Sequence, residues 1–136
     1  MSYVFVYGTL MRGFVNHFLL EPYIVSIKPA TILGKIRHLV EGYPMLFKGD
    51  GVVYGELVEL TNEQQALAEL DALEEYYGAG NVSNYYERCS KIVKDSSGRE
   101  FRAWVYLCPD ARIDEISGQS NAIPDGDWRK FILSRK

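Results

Sequence analysis

The chain opens on a short apolar, β-rich run, Tyr3-Val4-Phe5-Val6, which predicts a strand entering the core at once. Turn signals follow at Gly8 and at Arg12-Gly13. Residues 14–20 then have the composition of a short helix, stopped by Glu21-Pro22. Between 23 and 40 the apolar positions alternate (Ile24, Ile27, Ile32, Ile36), with a break at Lys28-Pro29. This predicts two segments, the second a strand over about 31–39. Gly42-Tyr43-Pro44 is turn chemistry, and Lys48-Gly49-Asp50-Gly51 reads as a hairpin. The β-branched stretch 52–58 beyond it predicts a strand. Gly55 in its interior marks a bulge or a place where something packs against the backbone.

The pattern then changes period. Thr61-Asn62-Glu63-Gln64 fits a capping box, and Ala66, Leu70, Leu73 and Tyr77 recur at spacings of four and three. A helix over about 62–77 is expected, ended by Gly78-Ala79-Gly80-Asn81. Two more strands are predicted, 85–93 and 101–107, joined by a turn at Ser96-Ser97-Gly98. Short helical pieces follow near 113–116 and from Trp128, after the turn Pro124-Asp125-Gly126-Asp127. Strands that are mostly sequential predict an α+β fold with largely antiparallel neighbours, and about six of them in so short a chain can curl into a barrel.

At 136 residues the chain is one domain's worth, residues 1–136, and can bury roughly 68% of its unfolded surface without a disulfide or metal staple. A net charge of −3 with 24% charged residues lacks the basic excess of a general nucleic-acid binder. Met1-Ser2 runs into a strand with no basic leader, and no apolar run approaches a membrane span. A cytoplasmic protein with no membrane association is therefore expected. Cys89 and Cys108 are far apart in sequence and read as small buried hydrophobes. His17 stands without a second His or Cys at ligand spacing, so it reads as a surface or packing residue. Ten tyrosines suit a pocket with apolar walls and hydrogen-bonding rims.

Two stretches carry candidate chemistry. In Tyr7-Gly8-Thr9-Leu10 the amides of Gly8, Thr9 and Leu10 can form a nest of N–H donors suited to a carboxylate or a developing oxyanion. The same residues also fit an ordinary strand-to-loop turn. On the long helix, Ala66, Leu67, Leu70, Leu73 and Tyr77 form an apolar stripe at about 100° per residue. Asp71 falls beyond its edge and Glu75 nearly opposite. Glu74, at i+4 from Leu70 and i+7 from Leu67, projects within it. A carboxylate there is costly unless paired, hydrogen-bonded or protonated, and desolvation raises its pKa toward the range of a general base. The alternative is that Glu74 sits at the rim, reaching water or pairing with Arg88.

Taken together, Tyr7-Gly8-Thr9-Leu10 after the first strand and Leu70-Asp71-Ala72-Leu73-Glu74 in the helix resemble the gamma-glutamylcyclotransferase-like family. The resemblance extends to Gly42-Tyr43-Pro44, Gly55-Glu56-Leu57, Tyr86-Glu87-Arg88, Ala103-Trp104-Val105-Tyr106 and Gly126-Asp127-Trp128-Arg129, covering essentially the whole chain. It implies a small mixed, mostly antiparallel β-barrel flanked by helices, with a pocket at the barrel mouth. It also implies an enzyme that releases 5-oxoproline from a γ-glutamyl amine or γ-glutamyl amino acid, with no metal or organic cofactor. Glu74 matches the family's acid/base residue, and Tyr7, Gly8, Thr9 and Leu10 match its substrate-holding segment. Tyr86 and Tyr106 are candidate pocket walls, and equally core tyrosines. The implied partner is a small γ-glutamyl substrate, with no nucleic acid and no membrane; no oligomeric state is implied. A second reading is a non-catalytic module that binds a small ligand in the same pocket. The chain departs from the family in one place: many members carry a Gly after the acid/base residue, where this chain has Glu75. The loop 76–85 is also longer than usual, which bears on substrate size.

Overall fold

The structure, a computed structural model, describes residues 2–135. Its spine is an antiparallel pair of long strands, β2 (Ile24–Leu39) and β3 (Pro44–Leu60), joined by a tight turn at 40–43. β1 (Ser2–Val6) lies antiparallel to the far half of β3, pairing Ser2 with Leu60 and Val6 with Glu56. On its other side β1 runs parallel to β5 (Glu100–Leu107), which forms a hairpin with β4 (Glu87–Asp95). β4 then meets β2 at Ala30 and Thr31, which closes the circuit β3-β1-β5-β4-β2-β3 into a five-stranded mixed barrel. All pairings except β1–β5 are antiparallel, as the sequential order of the strands dictates. The barrel is lined by inward side chains such as Val4, Met45, Val53, Val58 and Val105, all fully buried.

Helix α1 (Glu63–Glu74) packs Ala66, Leu67 and Leu70 onto this core. After β5 come a 3₁₀ turn (Asp110–Arg112) and α2 (Ile113–Ser117). β6 (Ser120–Ala122) adds to the edge of β2 at Arg37–Leu39. The last helix, α3 (Trp128–Leu133), is capped by Asp127, whose side chain accepts from the Lys130 N–H.

Four expectations from the sequence are corrected. Residues 14–20 do not form an α-helix; successive i→i+3 bonds make tight turns, with 3₁₀ segments at His17–Leu19 and Glu21–Tyr23. Asn16 and His17 bond back to Thr9 and Leu10, competing with helix formation. β2 is continuous through Pro29, because β4 joins it only from Ala30 onward and leaves Pro29 at an open edge. The stretch 48–51 is not a hairpin: Leu33 pairs with Val52 and Lys35 with Phe47, so these residues bulge out opposite Gly34. The glycines there answer a close approach, since a Cβ on Gly51 would lie 2.9 Å from the Gly34 carbonyl oxygen.

The fourth correction concerns α1. No capping box forms; Asn62 caps in the left-handed region (φ 53) with its amide on Gln65. The helix also ends at Glu74 rather than Tyr77. Glu75 turns left-handed (φ 54), and the N–H groups of Glu75 and Tyr76 return to the Ala72 and Asp71 carbonyls. This is a Schellman turn, with Glu75 in the place where glycine is the usual choice. Tyr77 therefore leaves the apolar stripe and is exposed.

Candidate active site

The end of β1 and the end of α1 meet at a cavity of about 140 Å³. One wall is the segment Phe5 to Leu10 together with Asn16. The other is Leu73, Glu74 and Glu75, and the tyrosines 43, 85, 86 and 106 complete it with Pro44. All seven residues expected at a site from sequence, Tyr7, Gly8, Thr9, Leu10, Glu74, Tyr86 and Tyr106, therefore border a single space.

The loop after β1 is held rigidly. Met11 and Phe14 N–H close turns onto the Gly8 and Met11 carbonyls, and the Asn16 N–H and side-chain amide bond Thr9. Buried Glu56 on β3 anchors the next residue, accepting from both the backbone N–H and Nε of Arg12 at 2.8 Å, with Arg129 of α3 3.6 Å away. Gly8 answers the close approach of Pro44, whose Cγ would lie 2.7 Å from a Cβ at position 8. Gly55 does the same on β3, where a Cβ would collide with the Val6 carbonyl oxygen. Among the described residues, none of the Gly8, Thr9 and Leu10 amides donates a hydrogen bond to the protein. Three successive donors at a cavity wall thus have no acceptor within the protein.

The tyrosine hydroxyls have other employment. Tyr7 donates to the Tyr106 carbonyl at 2.6 Å and accepts from the Leu46 N–H at 2.9 Å, tying β1 to β5 and β3. Tyr86 donates to the Pro44 carbonyl at 2.9 Å, and Tyr106 to Asp71 Oδ1 at 2.7 Å. Burial pushes all three hydroxyls above the usual tyrosine range, so they stay neutral donors. They serve the cavity as walls. Tyr43 and Tyr85 hydrogen-bond each other at 3.2 Å.

Glu74 differs from every other acidic group nearby. It is half-buried, and among the described residues nothing hydrogen-bonds or ion-pairs with its carboxylate. Desolvation alone pushes its pKa from 4.5 up to about 8. Arg88 does not neutralise it: that guanidinium holds both oxygens of Asp71 at 3.1 Å and stacks over Trp104. The pairing of Arg88 with Glu74 considered from sequence is therefore replaced by an Arg88–Asp71–Tyr106 network behind the cavity wall.

Sequence reading missed Asn16, Tyr43, Tyr85 and Asp71. The turn that carries Tyr43 was signalled by Gly42 and Pro44, but nothing local in the sequence says that Asn16, Tyr43 and Tyr85 meet at one cavity. Asp71 was visible as a carboxylate just off the stripe, but not as the partner of Arg88. It also missed Asn84, a buried residue that organises the loop after α1. Its side chain accepts from the Tyr77 N–H at 2.7 Å and donates to the Gly78 carbonyl at 2.9 Å and to Glu87. Among the described residues, no group of three or more His, Cys, Asp or Glu side chains is arranged to hold a metal ion, and no helix is long and apolar enough to cross a membrane. A roomier groove of about 620 Å³ runs beside β4, walled by Leu33, Phe47 and Ile92. Its one carboxylate, Glu100, is exposed to solvent, whereas the smaller cavity holds the desolvated Glu74, so the smaller cavity is the candidate site.

Known proteins resemble this chain over most of its length. The chain is 35% identical over 133 residues to the gamma-L-glutamyl-butirosin B gamma-glutamyl cyclotransferase of Niallia circulans, covering 98% of this chain and 79% of that one. It is 31% identical over 116 residues to a putative gamma-glutamylcyclotransferase of Methanocaldococcus jannaschii, covering 82% and 88%. In fold it is similar to YkqA of Bacillus subtilis, with a TM-score of 0.68 at 24% identity over 99% of this chain, which spans 43% of that protein. The family profile described as gamma-glutamyl cyclotransferase, AIG2-like, matches residues 4–130. The chain belongs to the gamma-glutamyl cyclotransferase, AIG2-like family.

Proposed function

We propose that this protein cyclises the γ-glutamyl group of a γ-glutamyl amine or γ-glutamyl amino acid, releasing 5-oxoproline and the free amine, with Glu74 as the acid/base residue. The observation that carries the proposal is an unpartnered, desolvated carboxylate sharing one small cavity with three unused backbone amides. The Niallia circulans relative, whose name states a cyclotransferase reaction on a γ-L-glutamyl compound, supports the same chemistry.

The steps follow from the groups present. The substrate's α-ammonium enters beside Glu74 and, as a nearby cation, favours the ionised carboxylate that desolvation had opposed. Glu74 takes a proton from the ammonium, and the freed amine attacks the γ-carbonyl carbon of the same molecule. A new C–N bond closes the five-membered ring while the carbonyl oxygen becomes negative. The Gly8, Thr9 and Leu10 amides are preorganised to hold substrate oxygens, the developing oxyanion among them. As the original γ C–N bond breaks, Glu74 returns the proton to the departing nitrogen, and the second proton of the ring nitrogen, made acidic by the attack, passes to the released amine, leaving neutral 5-oxoproline and an ammonium. Nucleophile and electrophile belong to one molecule, so the walls formed by Tyr7, Tyr86 and Tyr106 need only hold the glutamyl chain in its ring-like conformer.

Product identity tests the proposal. Incubation with a γ-glutamyl amine and a γ-glutamyl amino acid, followed by mass spectrometry, is expected to yield 5-oxoproline equal to the amine released from at least one of them. Glutamate in its place would mean attack by water, and would overturn the cyclisation.

A further inference from the structure

We infer that the site selects γ-glutamyl amines whose leaving group is positively charged, and that Glu75 is the residue that selects them; the inference rests on the cyclotransferase reading above. The charges around the cavity decide it. Its lining holds two carboxylates, Glu74 and Glu75, and no Lys, Arg or His among the described residues. The three free amides provide for the oxygens of the glutamyl group itself. A leaving group with a carboxylate of its own, as in a γ-glutamyl amino acid or peptide, would arrive where no cation waits.

Nearby cations are committed elsewhere. Arg88 is spent on Asp71 behind Tyr106, and Arg12 and Arg129 converge on Glu56. Arg112 lies over the Tyr85 ring at 5.0 Å and is paired with Glu115 at 3.5 Å.

Glu75, by contrast, is exposed while bordering the cavity, which places it where the cavity opens. Among the described residues its side chain makes no ion pair and no hydrogen bond. Its backbone is fixed on both sides: its N–H bonds the Ala72 carbonyl, and its own carbonyl accepts from the Tyr85 N–H at 3.0 Å. Glu41, in the β2–β3 turn, and Arg112 act on the Tyr85 hydroxyl with opposite signs. Tyr43 and Tyr85, whose rings lie 6.2 Å apart in the cavity wall, offer aromatic faces that also favour a cation. Among the described residues, both charged groups that line the cavity are carboxylates.

The test uses three substrates of matched length: the γ-glutamyl derivatives of 1,4-diaminobutane (cationic), butylamine (neutral) and 4-aminobutyrate (anionic). kcat/KM is read as 5-oxoproline release at low salt. The wild type is expected to favour the cationic substrate over the neutral one by about tenfold, the size of one partly solvated charge pair, and to disfavour the anionic one similarly. The spread should narrow in high salt. Glu75→Gln should cut the cationic-to-neutral ratio several-fold, while Glu75→Asp should largely keep it. Equal rates on all three substrates, with 5-oxoproline formed, would overturn the inference alone. An unchanged ratio in Glu75→Gln would overturn the role of Glu75. No 5-oxoproline from any of the three would overturn the cyclotransferase reading, and this inference with it.

Discussion

Replacing Glu74 by Gln should make the folded protein more stable at alkaline pH, and the gain can be worked from the structure. Desolvation raises the Glu74 pKa from 4.5 in the unfolded chain to about 8 in the folded one. Between those values the folded protein binds a proton that the unfolded chain has released, so stability falls as pH rises. Below about 4.5 both states are protonated and the burial of a neutral carboxyl costs little; above about 8 the full penalty of a buried charge is present. At about 1.4 kcal/mol per pH unit the whole window is worth roughly 4–5 kcal/mol, an upper limit. The carboxyl is only half-buried and faces a cavity that admits water, so about 2–4 kcal/mol is the working figure. Glutamine has the same shape and does not titrate. The assay is urea unfolding of wild type and Glu74→Gln at pH 4, 6 and 9. Taking the difference between the two proteins cancels every other titrating group. The difference should be near zero at pH 4 and favour the variant by about 2–4 kcal/mol at pH 9. A difference that does not change with pH would mean that burial does not shift the Glu74 carboxyl in the folded protein.

Other predictions follow from the same geometry. Because the free enzyme must present Glu74 ionised to act as a base, kcat/KM should fall about tenfold per pH unit below about 8, a limb seen in a pH–rate profile. Glu75→Gly should raise stability by about 0.5–1 kcal/mol in urea unfolding, since Glu75 occupies a left-handed turn (φ 54) at which glycine is unstrained. Asn84→Ala should cost about 2–3 kcal/mol, because it leaves the Tyr77 N–H and the Gly78 carbonyl without their partner. Hydrogen exchange should show the residues 76–84 opening first in that variant.

Much of the barrel was legible because its strands bury alternate or continuous apolar positions, and that pattern is local. β1, β5, the second half of β3 and the last helix all fall where the pattern puts them. The errors lie where a distant partner decides. Pro29 reads as a break until β4 is seen to leave that edge open. The glycines of 48–51 read as a turn until Gly34 is found opposite them. α1 was expected to run on to Tyr77 because Glu75 is a poor signal for a left-handed stop, and only the returning amides of Tyr85 and Tyr86 show why the chain turns there. Glu74 stood out in sequence for a physical reason that the structure retains: a carboxylate in an apolar stripe, with no partner placed beside it. The tyrosine hydroxyls were illegible, because Tyr7 finds its acceptor on Tyr106 and its donor on Leu46, both across the barrel.

The most direct test of the role given to Glu74 is single-turnover 5-oxoproline formation by wild type and Glu74→Gln on the best γ-glutamyl substrate. Both proteins should first be shown to be equally folded by circular dichroism. The variant should bind the substrate yet form 5-oxoproline about 10²- to 10⁴-fold more slowly, the loss expected for removing one acid/base group. Turnover by Glu74→Gln at the wild-type rate would contradict the account, and would leave Glu74 a buried carboxyl with no part in the chemistry.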